Sequence, residues 1–159
     1  MLRTLNLLLV ALMLCVSASY AAEPSQDATT VVHRTDMDFE TVKENLTTAI
    51  TGQGLLVSGT LHVSEMLHRT AADLGYDKNV YAKAESLEFC SAAMSHRMVR
   101  AHPANLTICP LTIGIYILDE DPDTVYVAYR RPVLAGGSAG EAQQSLAGLL
   151  AEIVAEAIE

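Results

Sequence analysis

The chain reads as an α+β fold in which a small sheet of about four to five strands packs with about four helices, in the order β-α-β-α-(β)-α-β-β-α. Three observations predict it. The 159 residues are 50% apolar by count, which suits one domain with one core. Leu111, Ile113, Ile115 and Ile117 alternate with Thr112, Gly114 and Tyr116, the period of two that marks a half-buried strand. Two apolar stripes keep helical spacing instead, one over residues 39–50 and one over residues 146–158.

The elements follow in order. Met1-Leu2-Arg3 gives a positive start, Leu5 to Val16 is apolar except for Asn6, and Ser19-Tyr20-Ala21 supplies the small residues a signal peptidase reads. Residues 1–21 are therefore expected to be a secretory signal peptide, cleaved after Ala21 or Ala22. At 1.5 Å per residue a run of about 12 is too short for the roughly 30 Å hydrocarbon core, so no membrane span is expected after cleavage. Leu14 stands where a small residue would precede a lipidated Cys15, which argues against a lipoprotein. Residues 22–28 read as a disordered leader and Thr30–Thr35 as the first strand. Asp38 is placed to cap a helix carrying Phe39, Val42, Leu46, Ala49 and Ile50, ended by Gly52 and Gly54. Leu55 to Val63 is expected as a second strand, with Leu55, Val57, Leu61 and Val63 on one face.

Ser64 then caps a helix bearing Leu67, Ala71 and Leu74, stopped at Gly75. Lys83 to Phe89 reads as a short strand, and Ser91 caps a helix through Ala101, stopped by Pro103. Leu106 to Leu118 and Val125 to Tyr129 form a strand pair across the hairpin loop Asp119-Glu120-Asp121-Pro122-Asp123. Pro132, Gly136, Gly137 and Gly140 mark a linker at 133–138, closing a domain at 29–132. Ser138 with Glu141 reads as a capping box. The last helix, 139–159, carries Leu146, Leu149, Leu150, Ile153, Val154, Ala157 and Ile158 and is expected to pack on the domain or on a second copy.

The segment Glu88-Phe89-Cys90-Ser91, a following helix, Pro103, then Cys109-Pro110 opening Ile113-Gly114-Ile115-Tyr116, resembles the domain-of-unknown-function 302 family over roughly residues 38 to 132. The resemblance implies a compact α+β fold, often dimeric, with no established catalytic activity or cofactor. Where Met94, Met98 and Val99 stand the family carries aliphatic residues, where His102 stands more often a carboxylate, and where Cys109-Pro110 stands a Pro-Cys order.

Charge and cysteines bound the function. A net charge of −9 with no basic run lacks the footprint that grips phosphate backbones, so nucleic acid is not expected as a partner. Losing Arg3 with the signal makes the exported chain more acidic still. Export also removes Cys15 and leaves Cys90 and Cys109 as an even pair where disulfides persist, so a bridge between them is expected, in a periplasmic or secreted protein. There is no C-x-x-C, H-E-x-x-H or phosphate-binding glycine fingerprint, and no catalytic residue is assigned.

Cys90, Met94, Met98 and His102 recur every fourth residue, a soft-ligand stripe suited to copper or haem. Methionines at that spacing also fill cores, so the expected cofactor is none, with copper or haem as the alternative. The acidic turn 119–123 lacks the spacing of a calcium loop. Arg130 and Arg131 are candidates for receiving an anionic ligand. Asn45-Leu46-Thr47 and Asn105-Leu106-Thr107 match the glycosylation sequon, which matters only where the secretory route glycosylates. The reading is thus an exported, disulfide-stapled, non-catalytic module that binds a small ligand or a protein. A soft-metal or haem binder and a thiol-disulfide redox protein using Cys90 and Cys109 are the alternatives.

Overall fold

The computed structural model of the chain describes residues 29–159. The signal-peptide and leader readings fall on residues 1–28, outside the described residues. Five antiparallel strands form one sheet in the order β1-β5-β4-β3-β2, with β1 Thr30–Thr35, β2 Leu56–Leu61, β3 Tyr81–Cys90, β4 Leu111–Leu118 and β5 Asp121–Arg130. Between them lie the helices α1 Phe39–Gly52, α2 Val63–Ala71, α3 Ala92–Ala101 and α4 Gly140–Ile158, and short 3-10 turns at Ala72–Leu74 and Pro103–Ile108. This is the expected α+β order. Among the described residues no helix is long and apolar enough to cross a membrane.

Strand alternation sets the two faces of the sheet. Leu87, Phe89, Leu111, Ile113, Ile115, Val125, Val127 and Tyr129 point to one side, where they meet Val42, Leu46 and Ile50 of α1, Met98 of α3, and Leu146, Leu150, Ile153 and Val154 of α4. Of the residues of the other parity, Val32, Arg34, Thr112 and Arg130 are exposed, whereas Ala84 and Tyr126 are buried. The α4 stripe is thus buried within a single chain, largely against α1, with Asn45 Nδ2 donating to the Ala157 carbonyl at 3.1 Å.

Asp38 caps α1 as expected, accepting from the Thr41 amide at 2.9 Å and from the Thr41 hydroxyl. Those bonds to its ionised form hold the Asp38 carboxyl below the usual carboxylate range. A depressed native value means the cap contributes above the unfolded value and is lost as pH falls through the native one. Urea midpoints measured for Asp38→Asn should therefore fall less steeply on acidification than those of the parent, because asparagine caps without titrating.

Element ends and caps differ from the sequence reading at several places, each with a physical cause. A bulge between Val57 and Gly59 shifts the β2 register, so Leu61 turns outward at 47% exposure, and Val63 begins α2 rather than ending the strand. Ser64 does not cap α2; its hydroxyl accepts from the Ala84 amide at 3.0 Å and donates to the Ala84 carbonyl at 3.3 Å. It satisfies the edge of β3 where β2 has already ended, so a tertiary pair outcompetes the local cap. Leu106 to Pro110 is not strand: the His102 ring Nδ1 accepts from the Ala104 amide and opens the 3-10 turn, and β4 starts only after the cis Cys109–Pro110 peptide. The hairpin loop shrinks to Asp119-Glu120, because the Asp121 carboxylate accepts from Thr124 Oγ1 and Tyr126 Oη and starts β5 early. Finally, α4 begins at Gly140 with Ala139 at its cap position, so Ser138 sits too early to close a capping box.

The stretch 133–138, read as a linker, is docked. Leu134 is buried and its amide donates to Gln143 Oε1, while Gly136 has φ 101° and lies so close to the end of α3 that a Cβ would stand 2.6 Å from the Ala101 carbonyl oxygen.

Candidate functional site

At one end of the sheet β1 begins, β5 ends, and β4 starts after the 3-10 turn. A cavity of about 680 Å³ opens there, with Arg130, Arg131, Thr30, Thr107, Thr112 and Pro110 on its walls and Leu111 and Leu150 reaching into it from the core. Thr30 lies across from Arg130 in the β1–β5 register, and the Arg131 amide donates to the Thr29 carbonyl at 2.7 Å, which fixes the backbone that carries both guanidiniums. Both arginine side chains are exposed, and among the described residues neither takes part in an ion pair. Arg131 also acts on the buried Tyr129: burial raises the phenol above its ordinary value, and the nearby guanidinium opposes that rise. Among the described residues the cavity walls carry no Asp, Glu, His or Cys. Two guanidiniums with threonine hydroxyls make a donor-rich surface for an anion.

Cys90 ends β3, and Cys109 directly precedes the cavity residue Pro110. The two cysteines form a close pair with Cα atoms 6.0 Å apart, within the range a disulfide spans. The rest of the sulfur and imidazole stripe is used differently. Met94 lies half-buried against the core, Met98 is 2% exposed inside it, and His102 caps the 3-10 turn through Nδ1. Among the described residues, no group of three or more His, Cys, Asp or Glu is arranged to hold a metal ion.

A sequence profile described as "Domain of unknown function DUF302" matches residues 31–159. The chain belongs to the DUF302 family. A crystal structure of an uncharacterized conserved DUF302 protein from Bacillus stearothermophilus is similar to it with a TM-score of 0.65 and 15% identity, covering 81% of this chain and 98% of that one. At that identity the likeness concerns the fold. No curated protein matches the chain. The profile extends past residue 132 to the end of α4, so in this DUF302 chain the last helix is part of the family's domain.

Four arrangements in the DUF302 chain are not legible from motifs. Glu85 lies on the inward parity of β3, 7% exposed, with Oε2 2.5 Å from Lys43 Nζ and Oε1 3.4 Å from His62 Nδ1. Its alternation with Leu87 and Phe89 was the available signal, since a carboxylate on an inward parity requires a partner. Lys83, next on the same face, pairs with Glu40 and sits 4.3 Å from the Phe39 ring centroid. Both sequon amides are already donors: Asn45 to Ala157, and Asn105 to the Met98 and Ala135 carbonyls from a 3% exposed position. His33 stacks on Tyr129 with centroids 6.2 Å apart and has its Nε2 buried, whereas His62 and His68 are exposed.

Proposed function

We propose that this DUF302 chain is an exported, disulfide-stapled binding module, periplasmic or secreted, that receives a small phosphate- or carboxylate-bearing ligand between Arg130 and Arg131 without catalysing its conversion. One observation carries the reading: two arginines consecutive in sequence both line one cavity that, among the described residues, has no acidic side chain on its walls, and neither is in an ion pair there, in a chain of net charge −9. In so acidic a protein an unpaired arginine pair is a local departure from the overall field, and its planar forks suit an oxyanion. The absence of acid, base or thiol from the same walls supports binding over chemistry. The Cys90–Cys109 pair supports a staple that fastens the end of β3 to the turn forming one wall.

Isothermal titration with inorganic phosphate at low ionic strength tests this reading. The parent should bind one equivalent, and the Arg130→Ala/Arg131→Ala pair should weaken binding by about tenfold or more, the equivalent of losing roughly 1.4 kcal/mol of charge-assisted hydrogen bonding. Equal heats for parent and variant would remove the site.

A further inference from the structure

The opposite end of the molecule carries a second feature, independent of the arginine cavity. Helix α2 bears Leu67 and Ala71, with Leu74 in the turn that follows, yet its single fully buried residue is Ser64. The helix lies along the β3 edge, held there by the Ser64–Ala84 pair of hydrogen bonds and by His68 Nε2, 2.8 Å from the Tyr81 carbonyl oxygen. Among the described residues, no second layer covers its apolar stripe. Leu67, Leu74, Tyr76 and Val80 are 41%, 67%, 66% and 63% exposed, and together with Ala71 and Tyr81 they line a groove of about 380 Å³ between α2 and the segment that returns to β3. That volume lies in the range of small-molecule sites, and apolar clustering of this kind on a surface marks a place where something apolar docks.

The polar groups at the groove select the occupant. Lys78 lines it and, among the described residues, forms no ion pair; no Asp or Glu lines it. The other lining polar side chains are His68, Thr70, Asn79 and the two tyrosines, and the Thr70 hydroxyl already donates back to the Met66 carbonyl. A long apolar wall with one ammonium at its edge complements a ligand with an apolar body and a single negative head. We propose that the α2 groove binds the acyl chain of a fatty-acid carboxylate, with the chain along Leu67, Ala71, Leu74 and Val80 and the carboxylate toward Lys78.

Dodecanoate, added to the purified protein below its micelle concentration and followed by isothermal titration, is the probe. The parent should bind one equivalent saturably. Leu74→Glu changes a mostly exposed side chain and should leave the thermal melt in place, yet it sets a carboxylate in the groove and should weaken dodecanoate by about tenfold or more. Lys78→Met should weaken dodecanoate by about threefold while leaving the uncharged dodecanol unchanged, which separates the head contact from the chain contact. Absence of saturable binding, or binding that both variants leave intact, overturns the proposal. So does a parent that sediments as a dimer and becomes monomeric with Leu74→Glu, since the groove would then be covered by a second copy. Phosphate binding at the arginine pair is measured separately, and neither groove variant should alter it.

Discussion

Replacing Cys90 and Cys109 together by serine should lower unfolding stability by about 3 kcal/mol, the chain-entropy value for a bridged loop of roughly 20 residues. The bridge is proposed from a close pair separated by 19 positions and from the oxidising compartment that the N-terminal sequence implies. The thermal midpoint should fall by roughly 10 °C for a domain of this size. The effect should be concentrated where the bridge acts, between the end of β3 and the turn before β4, so amide exchange at Cys90 and at Ile108 to Leu111 should quicken more than exchange in α1. Intact mass supplies the companion check: protein recovered from the exported fraction should begin after Ala21 or Ala22 and weigh two hydrogens less than its reduced form. Free thiols in the exported protein, or a serine pair as stable as the parent, would overturn the staple.

Asn105→Ala should be about as damaging, at roughly 3 kcal/mol or more. Asn105 Nδ2 donates to the Met98 carbonyl at 2.9 Å and to the Ala135 carbonyl at 3.0 Å, and Oδ1 accepts from the Ala135 amide at 2.8 Å. One buried amide thus closes three backbone groups and ties the end of α3 to the strap that leads into α4. Alanine takes the partner from the Ala135 amide and carbonyl and leaves the Met98 carbonyl only its bond from the His102 amide at 3.1 Å, and an orphaned group costs more than the bond it made was worth. Asn105→Asp should be no better at neutral pH, because a carboxylate then faces two carbonyl oxygens, but it should recover part of the loss on acidification, when the protonated group donates again. Urea unfolding at two pH values measures both. A stable Asn105→Ala protein would mean that the strap is held by Gly136 and Leu134 alone.

The elements whose residues choose their own structure were legible in the sequence. β1, α1 with its Asp38 cap, α3 with its Ser91 cap and the alternation of β4 all follow from local periodicity and capping chemistry. What was not legible depended on partners distant in sequence. Ser64 is an N-cap by local chemistry and an edge-strand substitute by tertiary context, because Ala84 lies twenty positions away. Leu67 and Leu74 repeat at helical spacing as core residues do, and periodicity cannot say whether a second layer covers them. The arginine cavity was half legible: Arg130 and Arg131 stand out as a pair, but Thr30, Thr107 and Thr112 join them only through the β1–β5–β4 strand order. Met98 and His102 show the converse, a ligand-like spacing that the fold divides between the core and a cap.

The account depends most on the arginine end of the sheet acting as an anion receptor. Amide chemical shifts during a phosphate titration read that end directly. The expected result is saturable movement confined to Thr30, Thr107, Thr112, Arg130 and Arg131, with the amides of Leu67 to Val80 at the far end unmoved and the response abolished in the double alanine variant. Shifts scattered over the surface in proportion to salt, or a response that survives loss of both arginines, would contradict it.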